Sequence, residues 1–167
     1  MSIHTQDLLP DVEKKFIPYL KKMIEIHQGN LISVSLYGSA TGHNYFPKGS
    51  DINSVFIFKT LNFITFQKSL KVVQRGLAQK IAAPLFLSQE YIQSSLDVFP
   101  IEFWDMKENH VVLFGEDILA QLQIKGEYLR LFCEQQIRGK LLRIRQAYLN
   151  VGLDRRKIRG LLKESLN

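Results

Sequence analysis

Apolar positions along this chain follow two different periods, one typical of helices and one typical of strands. The stretches with a helical period near 3.6 residues are 11–27, 66–81, 126–150 and 155–166, with a further helix opening at residue 88. The stretches with alternation or short apolar runs typical of strands are 31–37, 51–58, 84–87 and 98–104. The order of these segments predicts an α/β fold, in which helices pack on a small mixed sheet and two helices follow at the C-terminal end.

The residue patterns of two of these segments predict how each segment is placed in the fold. The helix 66–81 has one apolar stripe, which we expect to be the buried face: Phe66, Leu70, Val73, Leu77 and Ile81. The strand 98–104 (VFPIEFW) contains Pro100, which cannot donate a hydrogen bond within a sheet. We therefore expect that strand at an edge or at a bulge.

The size of the chain and its cysteine content restrict the class of protein. At 167 residues and 46% apolar composition, the chain can bury a core without disulfides. Its one cysteine, Cys133, falls on an apolar helix face and is predicted to be a core residue. We expect one domain over 1–120 with the helices of 121–167 packed on it, in a reducing, cytoplasmic setting without a signal peptide or membrane span.

Positive charge is concentrated in the C-terminal third. Residues 125–167 contain eleven Lys and Arg against four Asp and Glu, whereas the whole chain has 22 against 16. Such a surplus favours a phosphate-bearing partner, including RNA, although most of it is typical of a solvated helix face.

The stretch 34–59 (VSLYGSATGHNYFPKGSDINSVFIFK) carries the candidate chemistry. A strand ends in Gly38-Ser39, and a second strand begins with Ser50-Asp51 and continues through Asn53. A glycine allows a ligand to approach the backbone closely, and the serine adds a hydroxyl. Because side chains alternate along a strand, Asp51 and Asn53 are predicted to point into one cleft.

This arrangement resembles the signature of the DNA polymerase β-like nucleotidyltransferase superfamily, over about residues 31–119. The signature is a Gly-Ser corner, then Asp-x-Asp on the next strand, then a third acid on a later strand, here Glu102. The later segment HVVLFGEDIL also resembles a passage that closes this domain in bacterial members.

The resemblance implies transfer of a nucleotidyl group from a nucleoside triphosphate to an unknown acceptor. Asp51 and Glu102 would be the catalytic carboxylates and, with Asn53, the ligands of Mg²⁺. Gly38, Ser39 and Ser50 would bind the nucleotide. Asn53 stands where the family has an aspartate, so the alternative is a catalytically weakened module of the same fold that binds nucleotide, RNA or a protein.

The C-terminal helices allow two further hypotheses. Arg138 either pairs with Glu134 one helical turn away or contributes to nucleotide binding through a phosphate. The last helix has an apolar stripe that would suit a homodimer contact: Ile158, Leu161, Leu162 and Leu166.

Overall fold

A four-stranded sheet with helices on both faces organises the first part of the chain. The computed structural model describes residues 3–5, 8–42, 45–47, 49–152 and 154–165. The strands are β1 (Leu31–Tyr37), β2 (Asn53–Phe58), β3 (Leu85–Ser88) and β4 (His110–Gly115). The helices are α1 (Pro10–Ile26), α2 (Phe63–Leu77), α3 (Gln89–Ser95), α4 (Pro100–Glu108), α5 (Gly126–Val151) and α6 (Arg155–Ser165), and a short 3-10 turn covers Gly38–Thr41.

The strand order is β3-β2-β1-β4, so β1 lies between β2 and β4. Strand β1 runs antiparallel to both β2 and β4, and β2 runs parallel to β3. The C-terminal end of β1 therefore meets the N-terminal ends of β2 and β4 at one end of the sheet. The mixed α/β architecture predicted from the sequence is confirmed.

Two apolar clusters cover the two faces of the sheet. On one face, Phe16 and Leu20 of α1 pack with Phe56 and Phe58 of β2. On the other face, a second cluster joins β2 to α3, α4 and the segment after β4: Val55, Ile57, Ile92, Leu96, Phe103, Met106, Ile118, Leu119 and Leu122. Strand β2 is buried on both faces, as its dense apolar sequence predicts.

The prediction of a strand over 98–104 is wrong, because helix α4 begins within this segment, at Pro100. Pro100 occupies the first turn of that helix, where its missing N–H costs no hydrogen bond and its fixed φ suits the helix. Glu102 also lies in the first turn, where a carboxylate is favoured by the helix dipole. The fourth strand is β4, which begins two residues after α4 ends.

Helix α2 forms where its period predicts, but the face predicted to be buried is wrong. The residues that face the interior are Thr65, Ser69, Val72 and Gly76. Of the predicted stripe, Phe66, Leu70 and Leu77 are exposed. Only Ile81, which lies beyond the end of the helix, is fully buried.

Residues 125–167 form a second compact unit, separate from residues 3–124 in their internal contacts. Helix α5 contains no buried residue in the part of the chain described, and Cys133 is exposed, so its predicted core position is wrong. Asp154 caps α6 by accepting hydrogen bonds from the backbone N–H groups of Arg156 and Lys157. No helix among the described residues has the length and apolarity needed to span a membrane.

Candidate functional site

The Gly-Ser corner is a tight turn that only glycine enters without strain. Gly38 follows β1 with a φ of +71°, a left-handed conformation that costs other residues about 1 kcal/mol or more. The Thr41 hydroxyl donates to the carbonyl oxygen of Gly38 at 2.8 Å, and the N–H of Gly42 donates to that of Ser39 at 3.4 Å. These bonds fix the corner and leave Ser39 half-buried beside the end of the sheet.

Asp51 and Asn53 lie next to this corner, on either side of a buried residue. Ile52 is fully buried in the cluster beneath α1 and α2. Because side chains alternate along extended backbone, Asp51 and Asn53 both point toward the opposite face. Asn53 pairs in the sheet with Tyr37, directly before the corner, and Asp51 is exposed.

The contact between Gly38 and Asn53 is close. A Cβ atom added to Gly38 would lie 3.5 Å from the side-chain nitrogen of Asn53. The corner and the amide therefore face each other across two neighbouring strands. The structure places Gly38 close to Asn53, and Ser39 and Asp51 lie near these two residues along the chain. The roles of all four residues stay predictions.

Ser50 shapes the loop that leads to Asp51. Its hydroxyl oxygen accepts a hydrogen bond from the N–H of Phe46 at 3.0 Å, and its own N–H donates to the carbonyl oxygen of Phe46 at 2.7 Å. Among the described residues the Ser50 hydroxyl has no acceptor, so the predicted contact with nucleotide is compatible with this geometry.

A row of three side chains at the same end of the sheet was missed by sequence reasoning. Tyr37 pairs with Asn53 on β2 and with His110 on β4, so the three residues stand side by side on one face. Burial raises the pKa of the Tyr37 hydroxyl above its ordinary value. The pairing depends on strand register, which the spacing of these residues along the chain does not reveal.

His110 lies between two hydrogen-bond acceptors. Its Nδ1 lies 2.9 Å from the carbonyl oxygen of Lys107, and its Nε2 lies 2.9 Å from a carboxylate oxygen of Asp117. Both contacts are hydrogen bonds only when both ring nitrogens carry a proton. The same Asp117 oxygen accepts the N–H of Ala120, so this carboxylate also caps the following turn.

The Gly-Glu-Asp segment after β4 has a structural role. Gly115 adopts a φ of +78°, and a Cβ atom there would lie 1.8 Å from the carbonyl oxygen of Ile32. The carbonyl oxygen of Glu116 accepts the hydroxyl of Ser33 at 2.6 Å. The segment therefore joins β4 to the first strand and completes the sheet.

The two remaining predicted residues lie on helices. Glu102 is exposed at the start of α4 rather than on a strand of the sheet, so the structural basis for its assignment as the third acid is lost. Arg138 is exposed in the second unit, with its Nη2 3.8 Å from a carboxylate oxygen of Glu134. Such exposed pairs contribute little to stability, and a phosphate contact of Arg138 stays a prediction.

Asp51 and Asn53 are the two predicted metal ligands that remain at this end of the sheet. Asp51 offers a carboxylate and Asn53 an amide oxygen, both hard ligands suited to Mg²⁺. Among the described residues no group of three or more His, Cys, Asp or Glu side chains is arranged to hold a metal ion. One carboxylate balances little of the charge of a metal pair, whereas a single Mg²⁺ is commonly held by one or two carboxylates together with substrate phosphates.

Comparisons with solved structures identify the fold. The chain is similar to a spectinomycin adenyltransferase from Enterococcus faecialis, solved with ATP and spectinomycin, with 13% identity, a TM-score of 0.52, and coverage of 84% of this chain and 69% of that one. This likeness confirms the nucleotidyltransferase fold that the sequence resemblance implied.

Two lower-scoring similarities are to toxin–antitoxin complexes. One was solved with AMP-PNP, at 15% identity, a TM-score of 0.40, and coverage of 80% of this chain and 95% of that one. The other contains a tri-AMPylated Shewanella oneidensis HEPN toxin with its MNT antitoxin, at 14% identity, a TM-score of 0.39, and coverage of 77% and 94%. No protein-family model matches the chain, and no curated protein matches it in sequence.

Proposed function

We propose that this chain, which has the nucleotidyltransferase fold, binds a nucleoside triphosphate together with one Mg²⁺ at the Gly-Ser corner. The observation that carries the proposal is the left-handed Gly38, which faces the side chain of Asn53. The exposed Asp51 precedes Asn53 by two residues. A neighbour of the same fold was solved with ATP, which supports a nucleotide as the ligand class.

Each residue of the corner has a task that its chemistry allows. Gly38 keeps the backbone open to the terminal phosphates, and the hydroxyls of Ser39 and Ser50 donate to phosphate oxygens. Asp51 and the amide oxygen of Asn53 hold Mg²⁺, which offsets the negative charge of the triphosphate when it is bound. Arg138 stays a candidate for a further phosphate contact.

Because Asn53 replaces a second carboxylate, the corner residues support nucleotide binding more strongly than they support nucleotidyl transfer. In a nucleotidyl transfer, an acceptor hydroxyl attacks the α-phosphorus, its proton passes to a base, and pyrophosphate leaves. Asp51 is already assigned to Mg²⁺ in this proposal, so the predicted corner residues provide no separate carboxylate to accept this proton. A module that retains nucleotide binding without turnover is the second candidate function, and Asn53 is the feature that favours it.

Thermal shift with ATP and GTP, each with and without Mg²⁺, tests the binding proposal. A ligand at ten times its Kd stabilises the folded state by about 1.4 kcal/mol, which is readily measured. We expect stabilisation by a triphosphate that is strengthened by Mg²⁺. The absence of any shift with either nucleotide at millimolar concentration would refute the proposal.

Measurement of pyrophosphate release separates the two candidate functions. Release by the wild-type chain, tested with a panel of hydroxyl-bearing acceptors, supports an active transferase. Nucleotide binding without release, together with Mg²⁺-dependent release by an Asn53→Asp variant, supports a module that has lost its second acid.

A further inference from the structure

Helix α2 is oriented with its small and polar residues inward and its largest apolar residues outward. The outward residues form what we call the α2 stripe: Phe63, Phe66, Leu70, Val73 and Leu77. Their spacing alternates between three and four residues, the pattern of a helix that packs along another helix. Phe63 is 74% exposed and Leu70 is 54% exposed, so the described residues of the first compact unit leave this seam uncovered.

Specific contacts hold the helix in this orientation. The Ser69 hydroxyl lies 2.8 Å from Nε2 of the buried His27 and donates to the carbonyl oxygen of Thr65. At Gly76 a Cβ atom would lie 3.0 Å from the ring of Tyr19, so the absence of a side chain lets α1 approach. A rotation that buried the stripe would break both contacts.

The stripe lies on the side of α2 that faces the open edge of the sheet. On its other side, α2 meets α1, where Arg75 and Gly76 line a small cavity with Pro18 and Lys22. The ring of Phe66 lies 5.5 Å, centroid to centroid, from that of Phe86 on β3. Strand β3 ends the sheet on this side, and no described residue pairs with its outer edge.

We infer that a second copy of this chain covers the α2 stripe, with the two β3 edges adjoining across a two-fold axis. In this arrangement the stripes of two copies pack on each other, and the two sheets meet at their open edges. An apolar seam is complementary to itself, as a symmetric dimer requires. The inference concerns an edge of the sheet distinct from the Gly-Ser corner and does not depend on the proposed function.

The distribution of charge on α2 favours a second copy over a charged partner. At 100° per residue, Lys68, Lys71 and Arg75 lie on the α1 side and the top of the helix, away from the stripe. The side chains that border the seam on its solvent side are the uncharged Gln67 and Gln74. Two copies therefore meet without bringing like charges together, whereas a charged partner would find no opposite charge at the seam.

The apolar area exposed on the α2 stripe is large enough to form a substantial part of a dimer interface. At roughly 200 Å² for a free large apolar side chain, the exposed fractions of the stripe amount to about 450 Å² per copy. This lies within the range of about 300–600 Å² for the largest apolar patch on a monomer, a patch that is often functional. A stable dimer buries about 800 Å² per partner, and the β3 edge and the flanking glutamines would supply the rest.

Light scattering after size exclusion, on the full chain from micromolar to 100 micromolar concentration, tests the inference. We expect the wild type to have twice the 19.3 kDa mass of one chain. Leu70→Lys and Phe63→Lys should each raise the dimer dissociation constant by about tenfold or more, since they place charge in an apolar seam. Leu142→Lys is the matched control, because Leu142 is 64% exposed on α5 and lies outside the seam.

Circular dichroism establishes that each variant is folded, which is expected because each substituted side chain is exposed on the surface of its own compact unit. Leu70→Ser provides a milder second variant if a lysine variant precipitates. A wild type that is monomeric at 100 micromolar overturns the inference. So does a dimer that survives Leu70→Lys, or one that is lost with Leu142→Lys and not with the α2 variants.

Discussion

The side-chain nitrogen of Asn53 lies 3.5 Å from the point where a Cβ atom on Gly38 would be placed. Strand pairing brings these residues together, because Tyr37 and Asn53 are directly opposite each other in the sheet. The backbone corner that would admit phosphates and the amide that would help hold a cation thus form one continuous surface.

Gly38→Ala should weaken nucleotide binding. The left-handed backbone at this position, with a φ of +71°, is expected to cost alanine about 1 kcal/mol of folding stability, and the distorted corner should lower ATP affinity about tenfold. Gly29→Ala is the matched control, because Gly29 has a φ of +79° with open space around it and lies at the opposite end of β1. Urea unfolding measures the loss of folding stability in both variants, and ATP titration measures the loss of affinity. Equal losses of ATP affinity in the two variants would contradict a nucleotide site at the Gly-Ser corner.

Glu102→Gln should change ATP affinity in Mg²⁺ by less than about twofold, because Glu102 is exposed on α4 and is not on a strand beside Asp51. Asp51→Asn should weaken the same affinity by about tenfold or more, since it removes the carboxylate of the corner. Thermal shift with Mg²⁺ and ATP on the two variants provides the comparison. A large loss of ATP affinity in Glu102→Gln, with little loss in Asp51→Asn, would show that Glu102 and not Asp51 contributes to the nucleotide site.

The buried His27 should make stability depend on pH in the weakly acidic range. Burial, and then the nearby Lys68, lower the pKa of His27 below its ordinary value of 6.5. The unfolded chain therefore takes up a proton that the folded chain resists, so this contribution is present above pH 6.5 and is lost as pH falls toward the lower folded value. Urea unfolding at pH 7.5 and at pH 5.5 should show a decrease in the free energy of unfolding.

A His27→Gln variant is the control for this pH dependence. Glutamine can still donate to the Ser69 hydroxyl but does not titrate in this range. The variant should therefore lose a measurable part of the difference in stability between pH 7.5 and 5.5. An unchanged difference would show that other groups account for it.

Gly115→Ala should destabilise the first unit severely. A Cβ atom there would overlap the carbonyl oxygen of Ile32 at 1.8 Å, and its φ of +78° is unfavourable for alanine as well. We expect a loss of roughly 3 kcal/mol or more, or failure to fold, because backbone atoms cannot move aside cheaply. Gly126→Ala, at a position with nothing within 4 Å, should be nearly neutral in the same unfolding assay.

Some parts of the fold could be predicted from the sequence because they depend only on residues that are close together along the chain. Strands β1 and β2 and the Gly-Ser corner between them follow from local pattern, because the apolar runs and the glycine act over a few residues. The buried face of α2 could not be predicted in this way. Its apolar period is genuine, but the interior selects Ser69 and Gly76 because they fit His27 and Tyr19, which lie far away in the sequence.

The site shows the same division between local and long-range information. Asp51 and Asn53 could be predicted because alternation along one strand fixes their common face. Glu102 was misplaced because Pro100 is compatible with an edge strand and with the first turn of a helix, and the sequence alone does not decide between them. The side-by-side placement of Tyr37 and His110 requires knowledge of strand register.

Calorimetric titration of ATP in Mg²⁺ into the wild type and the Asn53→Asp variant tests the central claim most directly. With one cation held by Asp51 and the amide of Asn53, a second carboxylate should tighten binding about tenfold, and EDTA should abolish the difference. Equal affinities of the two proteins in Mg²⁺, or a difference that persists in EDTA, would contradict a cation-assisted nucleotide site at this corner.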